Sequence, residues 1–151
     1  MRRSIDADTV NFNDVYEDIE AGGERREFAL ELMMALFALE HPEALFAVAQ
    51  WSLDGEMGMI LSVDEAIDAL KKAADVRHSA ATRNLAIMLE SGEHMEADAE
   101  AAFENYLLAA VRDDSDALED AGRMLTEDLV SVSPAEIGKI LLQEFDRIET
   151  E

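Results

Sequence analysis

His41-Pro42-Glu43-Ala44 ("HPEA") decides how this chain is read. His78-Ser79-Ala80-Ala81 follows 37 positions later, and Asp114-Ser115-Asp116-Ala117 follows 36 after that. Each tetrad has a polar residue, an alanine three places on, and then an apolar run with helical spacing. A polar residue directly before such a run marks a helix N-cap. Pro42 falls at the first helical position, where its missing N–H removes no helical bond. Recurrence at a nearly fixed period is the signature of stacked helical repeats.

Outward from the tetrads the copies stay in register. With Ala44, Ala81 and Ala117 superposed, "VAQWSLDG" (48–55) falls on "LAIMLESG" (85–92) and on "AGRMLTED" (121–128). Further on, "DEAIDALKKAA" (64–74) falls on "EAAFENYLLAA" (100–110). The one-residue difference in period sits between Gly55 and Ala66, against Gly92 and Ala102. It is confined to a loop, where length changes are tolerated.

Each unit reads as two helices. Ala44, Ala47, Val48 and Trp51 share one face of the first. Gly55 and Gly92 end the first helices, because glycine takes the left-handed C′ conformation without strain. Ser62-Val63-Asp64-Glu65 opens the second helix as a capping box. Its core face is Ala66, Ile67, Leu70, Ala73 and Ala74; in the next unit it is Ala102, Phe103, Tyr106, Ala109 and Ala110. In the third unit Asp128 replaces the terminal glycine. The last helix begins at Ser133-Pro134-Ala135-Glu136, a second capping box. There Ile137, Leu141, Phe145 and Ile148 form an apolar stripe, expected to pack inward. Glu136, Lys139, Gln143, Asp146 and Arg147 supply the wet face of a capping helix.

Before the first unit lies "REFALELMMALFALE", a second helix without its first, with Ala29 matching Ala66 and Met33 matching Leu70. It is apolar nearly all round and needs a cover. Either Phe12, Val15, Tyr16 and Ile19 fold back on it, or a second copy of the chain covers residues 28–39 in a homodimer. The domain reading is an N-terminal arm or cap (1–23) and a single α-solenoid domain (24–151). That domain comprises a half repeat (24–40) and units 41–77, 78–113 and 114–150.

Composition supports this architecture. Two prolines and seven glycines in 151 residues point to an all-helical chain, and the absence of cysteine excludes disulfides and thiolate metal sites. No apolar run follows Arg2 and Arg3 as a signal peptide requires, and Leu32–Leu39 is too short to span a bilayer. A cytoplasmic location is expected. Twelve basic residues stand against 35 acidic ones, for a net charge of −23. That field repels nucleic acid and anionic membranes and attracts basic proteins. Solubility is the simplest alternative reason for it.

The alanine and glycine spacing resembles the Sel1-like repeat family, whose units are related to tetratricopeptide repeats. The second unit carries the resemblance best, through Ala81, Leu85, Ala86, Gly92, Met95, Asp98, Ala102, Tyr106, Ala109 and Ala110. It covers about residues 28–145. His94 stands where a second loop glycine is usual, and Ser52 where tyrosine is. The resemblance implies a short right-handed α-solenoid, with about seven main helices and a further short N-terminal one. It also implies a non-catalytic adaptor or scaffold.

His41 and His78 recur at one place in consecutive units, where capping explains them more simply than metal ligation. His94 beside Glu93 and Glu96 is no metalloprotease motif, which needs two histidines. Asp6, Asp8, Asp14 and Glu17 fall at calcium-loop positions 1, 3, 9 and 12, but Val10 and Asn11 break the pattern. Trp51 aligns with Met88 and Met124 and reads as core. No metal, cofactor or catalytic set is expected. The candidate partner-binding residues are Asp113, Asp114, Asp116, Glu119, Asp120, Glu127 and Asp128, with Glu90 and Glu93. Asp116, Glu119 and Asp120 fall on one helical side and repel one another.

The function expected is a non-catalytic interaction module whose acidic face binds a basic protein. The specific expectation is a bacterial immunity or inhibitor protein occupying the cationic groove of a toxin such as a nuclease. A generic adaptor binding a peptide in its groove is the alternative, and a metal-dependent enzyme the least favoured.

Overall fold

The computed structural model describes residues 6–58 and 61–150, so the Arg2-Arg3 pair lies outside the described residues. Among the described residues a short 3-10 helix (Ala7–Thr9) precedes eight α-helices. These are α1 (Phe12–Ala21), α2 (Gly23–Ala38), α3 (Pro42–Asp54) and α4 (Val63–Asp75), followed by α5 (Ser79–Ser91), α6 (Ala99–Val111), α7 (Ser115–Thr126) and α8 (Pro134–Thr150). Among the described residues there is no strand. The fold is an all-α helical repeat in which α2 precedes the pairs α3/α4, α5/α6 and α7/α8.

The three tetrads are helix caps. His41 Nδ1 accepts from the Glu43 amide at 3.3 Å, and His78 Nδ1 accepts from the Ala81 amide at 3.1 Å. In the third copy Asp114 Oδ1 accepts from the Ala117 amide at 3.0 Å. Each cap satisfies one of the donors that a helix start leaves open. Ser62 Oγ accepts from the Glu65 amide before α4. At α8 the box is reciprocal: Ser133 Oγ takes the Glu136 amide at 3.2 Å, and Glu136 Oε2 takes the Ser133 amide at 2.7 Å.

Two compact units divide the chain, Met1–Ala73 and Ala74–Glu151. In the first, α1 packs on α2 and α2 on α3. Val15 and Ile19 of α1 share a core with Ala29, Met33 and Leu36 of α2 and Ala44, Ala47 and Val48 of α3. The N-terminal helix therefore lies against the apolar half repeat. Trp51 is half-buried, with its ring edge-on to Tyr16 at 6.2 Å between centroids. The Tyr16 hydroxyl donates to Glu43 Oε1 at 2.6 Å, tying α1 to α3. Within the stretch that imitated a calcium loop, Asp6 caps the 3-10 helix, and Asn11, which breaks the loop pattern, caps α1.

In the second unit α6 is the centre, in contact with α5, α7 and α8. Phe103 and Tyr106 share a core with Ala86, Ala117, Ala121 and Met124, with Ile137 at its edge. One expectation is overturned here. The stripe Leu141, Phe145 and Ile148 does not pack inward; all three are exposed. The buried residue of α8 is Glu144. The physical reason is an ion pair that fixes the rotation of the helix.

Candidate protein-interaction surface

Glu144 is reached by three arginines. Arg112, the residue closing α6, binds it bidentately, Nε to Oε1 at 2.9 Å and Nη2 to Oε2 at 3.2 Å. Arg77 Nη2 approaches Oε1 at 3.3 Å and Arg147 Nη1 approaches Oε2 at 3.9 Å. The side chains of Arg112 and Glu144 are only 4% and 3% exposed. Arg112 Nη1 also donates to the Ala74 carbonyl and to Thr82 Oγ1, both at 2.9 Å. Thr82 in turn donates to the His78 carbonyl. Burial alone pushes the Glu144 carboxyl up, but Arg112, then Arg77 and Arg147, outweigh it and hold the group below the usual carboxylate range.

A second network joins α5, α6 and α7. Arg83 grips Asp120 Oδ2 through Nε at 3.2 Å and Nη2 at 3.1 Å, with Asp116 3.9 Å away. Arg123 Nη2 reaches both oxygens of Glu90, at 2.7 and 2.9 Å, and the Tyr106 hydroxyl donates to Glu90 Oε2 at 2.7 Å. Burial disfavours the Glu90 carboxylate, yet the Tyr106 and Arg123 hydrogen bonds keep it below its ordinary range. Burial and the same carboxylate push the Tyr106 phenol above its usual range.

The nine candidate acids therefore fall into different places. Glu90 and Asp120 face arginines, and Glu127 lies 3.8 Å from Arg123. Asp114 caps α7. Asp113 and Asp128 occupy left-handed backbone positions in the turns before and after α7, at φ 73° and 54°. Asp113, Asp116, Glu119 and Asp128 are exposed on or beside α7. Glu93 lies in the α5–α6 loop, 3.7 Å from His94. The arginine networks were missed by sequence reasoning. The signal available was numerical: Arg112, Arg83 and Arg123 lie 32, 37 and 33 positions, about one repeat, from the acids they face.

A cleft of about 430 Å³ opens between α6 and α8, lined by Asp98, Phe103, Glu104, Glu136, Lys139 and Gln143, among others. Two of its acids already have structural tasks, Asp98 capping α6 and Glu136 closing the α8 box.

No single helix among the described residues is long and apolar enough to cross a membrane. No family model matches the chain, and no curated protein does. The fold is similar to that of a solved structure, the crystal structure of a Sel1 repeat protein from Oxalobacter formigenes, with 23% identity and a TM-score of 0.65. The likeness covers 90% of this chain and 55% of that one, so the chain spans about half the length of the protein it matches. The chain thus has a Sel1-like repeat fold, the class the alanine and glycine spacing implied.

Proposed function

We propose that the chain is a cytoplasmic, non-catalytic interaction module that binds a basic protein through the acidic surface of α7 and its flanking turns. An immunity or inhibitor protein directed at a basic toxin, such as a nuclease, is the specific form of this reading. One observation carries it. In the second unit Arg77, Arg112 and Arg147 converge on Glu144, while Arg83 and Arg123 face Asp120 and Glu90. Among the described residues of that unit, the five arginines all belong to these two networks, and Lys139 is the remaining lysine or arginine. The cations are drawn to inward acids, and exposed Asp113, Asp116, Glu119 and Asp128 give the surface its sign, with Asp116 at the edge of the Arg83 network, 3.9 Å away. A field of that sign steers a cationic partner and raises its association rate.

The test is a titration of the protein with a small basic nuclease as probe, with ionic strength varied. Binding should weaken steeply between low salt and about 0.5 M, where exposed charges are screened within a few ångströms. Replacing the four exposed acids by Asn or Gln should lower affinity about tenfold or more and slow association. Affinity indifferent to both changes would leave a groove-bound peptide as the better reading.

A further inference from the structure

The outward face of α8 is a different feature from the α7 acids. Leu141, Leu142, Phe145 and Ile148 are 37, 65, 54 and 48% exposed. Their spacing, i, i+1, i+4 and i+7, places them along one side of the helix. Glu144, the buried residue, lies about 100° round the helix from Phe145. Turning the stripe inward would pull Glu144 away from Arg112, Arg77 and Arg147. The clamp therefore holds four large apolar groups in water. Contiguous apolar patches of this kind mark interaction sites on single chains.

The charge of the chain narrows the occupant. A second copy would bring −23 against −23, and like charges brought within a Debye length of about 8 Å repel. Asp146 and Glu149 border the C-terminal half of the apolar stripe, with Lys139 two turns earlier on the same side as Asp146. An apolar ridge of this spacing is met by the apolar face of another helix, and acids at its edge are met by lysine or arginine beside that face. We propose that Leu141, Leu142, Phe145 and Ile148 form a docking seam for a cationic amphipathic helix of another protein. The seam is separate from the α7 surface, and the two readings can fail independently.

The experiment is fluorescence anisotropy with three labelled helical peptides of about 18 residues, roughly five turns. One is a Leu/Lys amphipathic helix, one a Lys/Ser helix of equal charge, and one a Leu/Glu amphipathic helix. The wild-type chain should bind Leu/Lys at least about tenfold more tightly than Lys/Ser and should not bind Leu/Glu. Leu142→Ser with Phe145→Ser should remove the Leu/Lys advantage while leaving Lys/Ser affinity unchanged. Both side chains are exposed, so helicity should be retained, and Phe145→Lys gives an independent variant with the same expected loss. Neutralising Asp116, Glu119 and Asp128 should instead weaken both cationic peptides alike. The proposal is overturned by equal affinity for Leu/Lys and Lys/Ser, by seam variants that keep the advantage, or by tight Leu/Glu binding. A concentration-dependent dimer in sedimentation that Phe145→Lys abolishes would also overturn it, by showing a second copy on the seam.

Discussion

Arg112 and Glu144 form a bidentate pair in which neither side chain is more than 4% exposed. It joins the end of α6 to the middle of α8. Through the Ala74 carbonyl and Thr82 it also holds the end of α4 and the first turn of α5. A buried pair of this kind is stabilising only while both partners remain, because either ion alone has lost its water. Glu144→Ala should therefore destabilise the protein by about 3–5 kcal/mol. Arg112→Met with Glu144→Leu should recover much of that loss. Urea denaturation of the two variants beside the parent measures both, and a double variant no better than Glu144→Ala would show that the remaining arginines need the carboxylate.

The same carboxylate sets a pH dependence. Its pKa is lower folded than unfolded: burial opposes ionisation, but Arg112 and its neighbours prevail. A depressed carboxylate adds stability above its unfolded pKa and loses it as pH falls through the folded value. Glu90 acts in the same direction. Acidification also relieves the repulsion of a −23 chain, which works the other way. The informative quantity is thus the difference in urea midpoint between the parent and Glu144→Gln. It should be large at pH 7 and shrink as pH falls below the ordinary carboxylate range. A difference constant from pH 7 to 3 would contradict the assignment.

Repeat caps offer a third test. His78 Nδ1 and Asp114 Oδ1 perform one task in successive units, at 3.1 and 3.0 Å from the amide they accept. Removing the acceptor by His78→Ala should cost about 1 kcal/mol, the usual value of an N-cap. His78→Asp should cost less or stabilise the protein, since aspartate is the better cap and meets the positive end of the helix. Thermal unfolding of the two variants compares them directly. If both lose stability equally, the ring's other contacts outweigh its cap.

Much of the fold was legible because local rules and burial agreed. The caps at His41, His78 and Asp114, the αL glycines 55 and 92, and the alanine faces all follow from spacing. The Sel1-like architecture came from the family resemblance that these residues carry. The α8 rotation was not legible. Ile137, Leu141, Phe145 and Ile148 are as regular a stripe as any in the chain, and periodicity assigns such a stripe to the core. What overrides it is a long-range ion pair: Arg112 lies 32 positions before Glu144 and on another helix. The acids of α7 were visible as a cluster, but the sequence could not say which of them Arg83 and Arg123 face. That depends on which sides of α5 and α7 meet over α6.

Asp128 gives the last prediction. It stands where the earlier units carry Gly55 and Gly92, and the backbone takes the same left-handed turn without the glycine: φ is 54° at Asp128, 71° at Gly55 and 77° at Gly92. The turn is thus imposed by the repeat, with the Leu129 amide returning to the Met124 carbonyl at 3.0 Å to close the helix end. An L-residue in that conformation is strained by roughly 1 kcal/mol, less for aspartate than for most. Asp128→Gly should therefore stabilise the protein by up to about 1 kcal/mol, while removing one exposed acid. The reverse changes should destabilise unequally. Alanine at Gly55 meets open space and suffers the backbone strain alone; alanine at Gly92 also brings its Cβ within 3.3 Å of the Ala97 Cβ. The order of stability should be Asp128→Gly above the parent, then Gly55→Ala, then Gly92→Ala, read from denaturation midpoints. A destabilised Asp128→Gly would mean that the carboxylate makes a contribution at the end of α7 larger than the strain it carries.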